Sequence, residues 1–206
     1  MRKWVWRIAG SVVLLAVAAV VVTGISLLPT SLALGPCLPD LTSPTTYRPR
    51  LSPLATVDIP LAAGAARLCY GRPSARGREV YGVLVPFGEF WRLGANEPTR
   101  LYTDHGVNLA GLILDRGRYS LYVVPGPERW TLHVTRSTTH WGNDLSAGVR
   151  AGDVGTAEAE TTSLTTPVES LTVTPERRGG STLLHFDWAT TRVTLPLSPV
   201  GELSHE

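Results

Sequence analysis

Glu169–Leu197, ESLTVTPERRGGSTLLHFDWATTRVTLPL, decides the fold class. It divides into three β-branched and aromatic runs, ESLTVTP, STLLHFDW and RVTLPL. ERRGG and ATT separate them, the pattern of consecutive antiparallel hairpins. Further back, apolar and polar residues alternate in Thr56–Leu61, Arg67–Tyr70, Arg100–Thr103, Tyr119–Val124 and Trp130–Thr135. After residue 40 no stretch keeps a 3.6-residue apolar period with capping residues. The expected architecture is all-β, a single antiparallel β-sandwich or partly open barrel. Asp187, between Phe186 and Trp188, reads as solvent-facing, as do His133 and His185. Gly142–Thr166 is small and polar, and is expected as a mobile loop running into an edge strand near Thr156–Thr162.

The N-terminus belongs to a different solvent. Arg2, Lys3 and Arg7 precede Ile8–Leu28, IAGSVVLLAVAAVVVTGISLL, whose 21 residues carry no charge. As a helix this run spans about 31 Å, the hydrocarbon thickness of a bilayer. The basic side predicts a cytoplasmic N-terminus and an extracytoplasmic remainder, with Trp4 and Trp6 at the interface. Residues 1–33 are thus expected to form a single-pass transmembrane anchor. A cleaved signal peptide ending at Ser31-Leu32-Ala33 is the rival, and a lipid-modified Cys37 is a third option. All three export the same domain. Residues 34–53 hold five prolines and read as an extended linker. The β domain is expected over 54–199, long enough to bury a real core, with a frayed tail at 200–206.

The net charge of +2 includes three basic residues of the anchor. Without them 16 basic residues face 17 acidic ones, which gives no support for a nucleic-acid partner. Cys37 and Cys69, both on the exported side, either form a disulfide or remain two thiols. Neither their spacing nor the histidines suggests zinc.

Tyr70–Thr99, YGRPSARGREVYGVLVPFGEFWRLGANEPT, has neither a helical nor a strand period. It is too apolar for disorder, with Tyr81, Val83, Leu84, Val85, Phe87, Phe90 and Trp91, so it is expected to be an ordered functional loop. Tyr70, Arg72-Pro73-Ser74, Gly77-Arg78, Leu84-Val85-Pro86, Gly88 and Trp91-Arg92-x-Gly94-Ala95-Asn96 resemble a bacterial family, domain of unknown function 2911. Gly117-x-Tyr119-Ser120-Leu121, Pro125, Trp130, Trp141-Gly142, Trp188 and Arg192-Val193 continue the likeness, which covers roughly Leu54–Leu197. The resemblance implies an exported β-rich domain and carries no activity, cofactor or catalytic residue. Gly71 departs from it, standing where the family commonly has serine. So does Asn143-Asp144-Leu145, where an aromatic often follows the Trp-Gly pair.

Guanidinium groups grip carboxylates and phosphates through paired N–H donors. Arg72, Arg78, Arg92, Ser74 and Asn96 are therefore candidate ligand contacts, with Trp91, Tyr119 and Trp141 as walls. The competing reading has these arginines bonding loop carbonyls and pairing with Glu79, Glu89 and Glu97. No phosphate-binding P-loop and no nucleophile elbow is present. His133 and His140, seven apart across an expected turn, lack a placed carboxylate, so no metal and no cofactor is assigned. The leading expectation is a membrane-anchored module that binds a small ligand or envelope component. Alternatives are a hydrolase acting on envelope material, through Ser74 or a carboxylate with a histidine, and a structural module of an envelope assembly.

Overall fold

The computed structural model describes Cys37 and residues 50–201; the anchor segment, most of the linker and the tail beyond 201 lie outside the described residues. Among the described residues, no helix is long and apolar enough to cross a membrane. The strands are β1 (Leu54–Pro60), β2 (Ala65–Gly71), β3 (Thr99–Thr103), β4 (Val107–Leu109), β5 (Leu112–Leu114), β6 (Gly117–Val124), β7 (Arg129–Thr135), β8 (Asp153–Arg178) and β9 (Ser181–Pro199). One helical turn, α1 (Ala147–Arg150), precedes β8. The antiparallel β class read from the sequence is observed. Its finer form is one nine-stranded open sheet, ordered β1-β2-β3-β6-β7-β8-β9-β4-β5.

A 26-residue strand makes the sheet continuous. The first part of β8, Asp153–Glu160, pairs with β7, and from Thr161 onward it pairs with β9. Within the β9 pairing the register is irregular between Ser163 and Thr172, where β8 is bulged against its partner. The segment expected as an edge near Thr156–Thr162 is thus paired with β7 as far as Glu160, and its last two residues lie against β9. The ATT read as a turn lies inside β9, where Ala189 takes φ 51°. That kink brings the Arg192 fork onto Asp187 at 2.6 and 2.7 Å, so Asp187 is buried rather than solvent-facing. His185 is buried too, between Thr194 and Glu176.

The β4–β5 hairpin escapes sequence reading because NLAGLI has no Asn-Gly or Asp-Gly pair. Ala110 and Gly111 nonetheless both take positive φ, 51° and 94°, and the Asn108 carboxamide oxygen accepts the Gly111 N–H at 2.7 Å.

Period-two alternation sorts the first half of the sheet into two faces. Leu68, Tyr70, Leu101, Tyr119, Leu121, Trp130 and Leu132 enter the main core, together with Ile59, Leu109, Leu171, Leu184 and Trp188 from both ends of the strand order. Cys69, Arg100, Ser120, Tyr122 and His133 point to the opposite, outer face. Three domain tryptophans are core. Trp91 stacks on Trp188 at 5.8 Å and 24°, and meets Trp130 edge-on at 5.8 Å. Tyr81 packs edge-on against all three.

Cys37 and Cys69 form a disulfide, with Cα atoms 5.5 Å apart. The end of the expected linker is docked as well. Arg50 grips Glu97, while the carbonyls of Ser52 and Pro53 accept hydrogen bonds from Asn96 and Arg72. The bridge links positions 32 apart and so constrains the unfolded chain. Replacing Cys37 with serine is expected to lower unfolding stability by about 3–4 kcal/mol, read by urea denaturation with and without reductant. Reductant should move the wild type to the variant's curve and leave the variant unchanged.

Candidate functional site

Most of the arginines in the irregular segment serve the fold. Arg72 donates from Nε to the Leu171 carbonyl at 3.2 Å and from Nη2 to Thr172 Oγ1 at 2.9 Å. Arg76 reaches the Leu51 carbonyl at 2.9 Å. Arg78 binds the carbonyls of Ala75 and Ser74, both at 2.9 Å. Ser74 Oγ lies 2.7 Å from Ser170 Oγ on β8. These groups fasten the segment to β8 and to itself. Trp91 and Tyr119 are core, their polar atoms bonded to the carbonyls of Gly94 at 3.1 Å and Asp115 at 2.8 Å.

The loop after β7, which carries Trp141, bonds to both Arg92 and Asn96. The Asn143 side-chain oxygen accepts the Arg92 N–H at 3.2 Å, and the Asn96 carbonyl accepts the Gly142 N–H at 3.2 Å. Gly142 takes φ 59°, and a Cβ there would lie 3.4 Å from Arg92 Nη1. Asn96 also takes positive φ, 64°, and donates from Nδ2 to the Ser52 carbonyl at 3.0 Å. Glu97, 1% exposed, sits beneath, held by the Arg50 fork at 2.9 and 2.5 Å. Burial lowers the Arg92 pKa, and the Glu97 charge opposes that. Trp141 is half-buried beside this group.

His140 belongs to the same loop, with Nδ1 3.3 Å from Ser137 Oγ. Burial pushes its pKa below the ordinary histidine value, against the Ser137 hydrogen bond and the Asp144 charge; nearby Arg100 adds to the lowering. Arg92 Nε, His140 Nε2, Ser120 Oγ and Asp153 Oδ1 are all buried without a hydrogen-bond partner among the described residues. Such atoms are few in native proteins and each calls for an explanation. Here they gather under one segment, 137–153, that crosses the outer face of β3, β6 and β7.

Beside them is a second polar group. The Tyr122 hydroxyl donates to Asp153 Oδ2, and His133 Nδ1 lies 3.3 Å from the same oxygen. The two rings stack at 4.6 Å and 14°, Phe90 meets both edge-on at 5.6 Å, and Arg150 lies 5.0 Å above Phe90. Burial raises the Tyr122 pKa, and the Asp153 hydrogen bond adds to it, so the phenol stays a donor. Among the described residues no group of three His, Cys, Asp or Glu is placed to hold a metal. An open hollow of roughly 580 Å3 lined by Glu128, Arg129, Glu160 and Thr161 contains none of these groups.

Residues 52–197 match the model of a family described as protein of unknown function, DUF2911. The chain belongs to the DUF2911 family. No curated protein and no solved structure matches it. The DUF2911 match spans the sheet, the fastened arginine segment and the loop over the outer face.

Within this DUF2911 domain Gly71 has a clear role. The Ala95 N–H donates to its carbonyl at 3.1 Å, and a Cβ at Gly71 would fall 1.7 Å from the Ala95 oxygen. The serine expected from family resemblance cannot enter without moving the Ala95–Asn96 turn. Sequence reading passed over Ser120, Tyr122 and Asp153, and set His133 and His140 aside as lacking a carboxylate. Polar residues at alternate strand positions look the same whether they face solvent or a covering loop; Tyr122 opposite His133 in register was the available signal.

Gly71→Ser is expected to cost about 3 kcal/mol through overpacking, measured by urea denaturation. A histidine whose folded pKa is depressed resists protonation more than in the unfolded chain. Its contribution is therefore present above the unfolded value and is lost as pH falls through that window. The acid limb of a melting-temperature profile below about pH 6.5 should flatten in His140→Gln.

Proposed function

We propose that this DUF2911 domain is an extracytoplasmic binding module, held to the membrane by its N-terminal helix, that captures a small oxyanion. The anion, a carboxylate or phosphate on a free molecule or on envelope material, would be held by Arg92 and His140, with Asn96 and Trp141 beside it. The observation that carries this reading is a buried guanidinium N–H, Arg92 Nε, without a partner among the described residues, on a residue held by the loop that also carries His140, whose Nε2 is likewise buried and unpartnered. A buried guanidinium with an unmet N–H is costly unless something binds it, and an oxyanion supplies the missing acceptor. Export is supported by the Cys37–Cys69 bond, which suits an oxidising compartment, and by the uncharged 8–28 run.

A thermal-shift screen of organic acids, sugar acids and inorganic phosphate tests it. A ligand at 100 times its Kd should add about 2.7 kcal/mol of stability. Arg92→Ala should erase that gain. Arg72→Ala should lower the baseline by about 1–2 kcal/mol and retain the gain, because Arg72 bonds β8 instead. No gain from any anion, or equal gain in Arg92→Ala, refutes the assignment.

One observation favours a hydrolase as the second reading. Asp153 lies within hydrogen-bonding reach of His133 Nδ1. That fixes the imidazole tautomer and leaves Nε2, on a side chain 17% exposed, as an acceptor for a water proton. Chromogenic esters and glycosides would report turnover that falls at least about 100-fold in His133→Ala and Asp153→Asn. Turnover unchanged by either variant removes this reading.

A further inference from the structure

Seven large apolar residues are exposed among the described residues, and four of them, Val83, Leu84, Phe87 and Phe90, fall within eight positions of one loop. Val83 is 63% exposed and Phe87 42%. The loop is not a loose coil. Its N–H groups at Gly82, Val85 and Gly88 donate to the carbonyls of Val85, Val80 and Pro125 at 2.8–2.9 Å. Tyr81, at its base, is anchored among the core tryptophans. The chain thus holds a rigid apolar tip out into solvent, at a cost that a single-domain protein ordinarily avoids.

Two features identify what covers it. Phe90 lies on the outer face, against Tyr122 and His133, and the exposed Arg150 is seated over it. Cys69, which carries the bond to Cys37, belongs to the same outer face of β2. The disulfide also shortens the tether. Only Pro29–Pro36 separates the uncharged run from Cys37, and a chain of that length spans no more than roughly 30 Å. A domain tethered within that reach, by the outer face on which Phe90 lies, has the bilayer as its nearest apolar phase.

We infer that the Val83–Phe90 loop is a membrane-contact surface, with Val83, Leu84 and Phe87 entering the headgroup–acyl boundary of the bilayer that anchors the chain. Phe90 and Arg150 form its rim. Aliphatic and aromatic side chains beside an arginine suit that boundary, since the chain buries apolar area while the guanidinium meets lipid phosphate. The inference rests on the membrane tether proposed above and is independent of the ligand assigned to Arg92.

Full-length protein in vesicles of phosphatidylcholine and phosphatidylglycerol tests it. Nitroxide labels are placed one at a time at Val83→Cys, Phe87→Cys, Ile113→Cys and Val200→Cys, the last two being exposed apolar controls elsewhere on the domain. Labels at 83 and 87 should collide severalfold more with oxygen, and severalfold less with a water-soluble nickel chelate, than labels at 113 and 200. Equal aqueous exposure at all four, in protein that stays with the vesicles through an alkaline wash, overturns the contact and leaves the tether standing. Release by the wash removes the tether and the inference with it. Labels at 83 and 87 shielded from both reagents would mean burial against a second protein copy, which also overturns the contact.

Discussion

The structure depends on one packing event, the insertion of Trp91 between Trp130 on β7 and Trp188 on β9, closed by Tyr81. Stacked and edge-on rings of this size bury a large apolar area at one centre. Two of the four rings come from the irregular segment 72–98, so the core is incomplete without that segment. The Trp91 backbone also bridges Val123 on β6 through a pair of hydrogen bonds at 2.8 Å. An irregular segment is thus as much a part of the sheet's support as a strand. Burial at the same centre drives the Tyr81 hydroxyl far above its usual pKa, and the Asp187 charge pushes in the same direction.

This explains what could be read from residues alone. Strand runs such as LTVTP, TLLHF and YSLYVV have a period that only a half-buried strand satisfies, and each appears as one. Their fusion into two very long strands could not be read. ATT looks like a turn, and only the partner strand shows that Ala189 is a kink within β9. The candidate site was legible in part. Arg92 and Asn96 are both bonded to the Gly142–Asn143 turn that follows Trp141, whereas Arg72, Ser74 and Arg78 are fasteners and Trp91 and Tyr119 are core. An arginine's partners depend on which carbonyls pass nearby, and chain spacing does not encode that. Glu97 acts electrostatically on Arg92 of the segment, as its sequence position suggests, and is also gripped by Arg50, in a stretch whose prolines suggest only a spacer.

The outer face differs from the core in the kind of order it has. Leu145 and Val149 pack on Tyr122 in a small apolar cluster of their own, which presses the 137–153 segment down on the polar residues of β6 and β7. The Thr135 hydroxyl, fully buried, ties that segment back by donating to the Val149 carbonyl at 3.0 Å. Polar groups covered in this way lose water without each gaining a protein partner, a compromise of stability that is typical of places prepared for something else to bind.

The register at the far end of the sheet has a consequence for how the polypeptide matures. Val107 aligns with Pro199 and Leu109 with Leu197, so the small β4–β5 hairpin at the sheet's end acquires its neighbour only from the final residues of β9. Contacts joining positions some ninety residues apart are slow to form, because loop closure precedes any gain. A polypeptide emerging N-terminus first would carry the bare edges of β4 and β8 until β9 arrives. Completion of the sheet is therefore a checkpoint on synthesis: a chain that lacks Leu197–Pro199 leaves β4 and β5 without a seat.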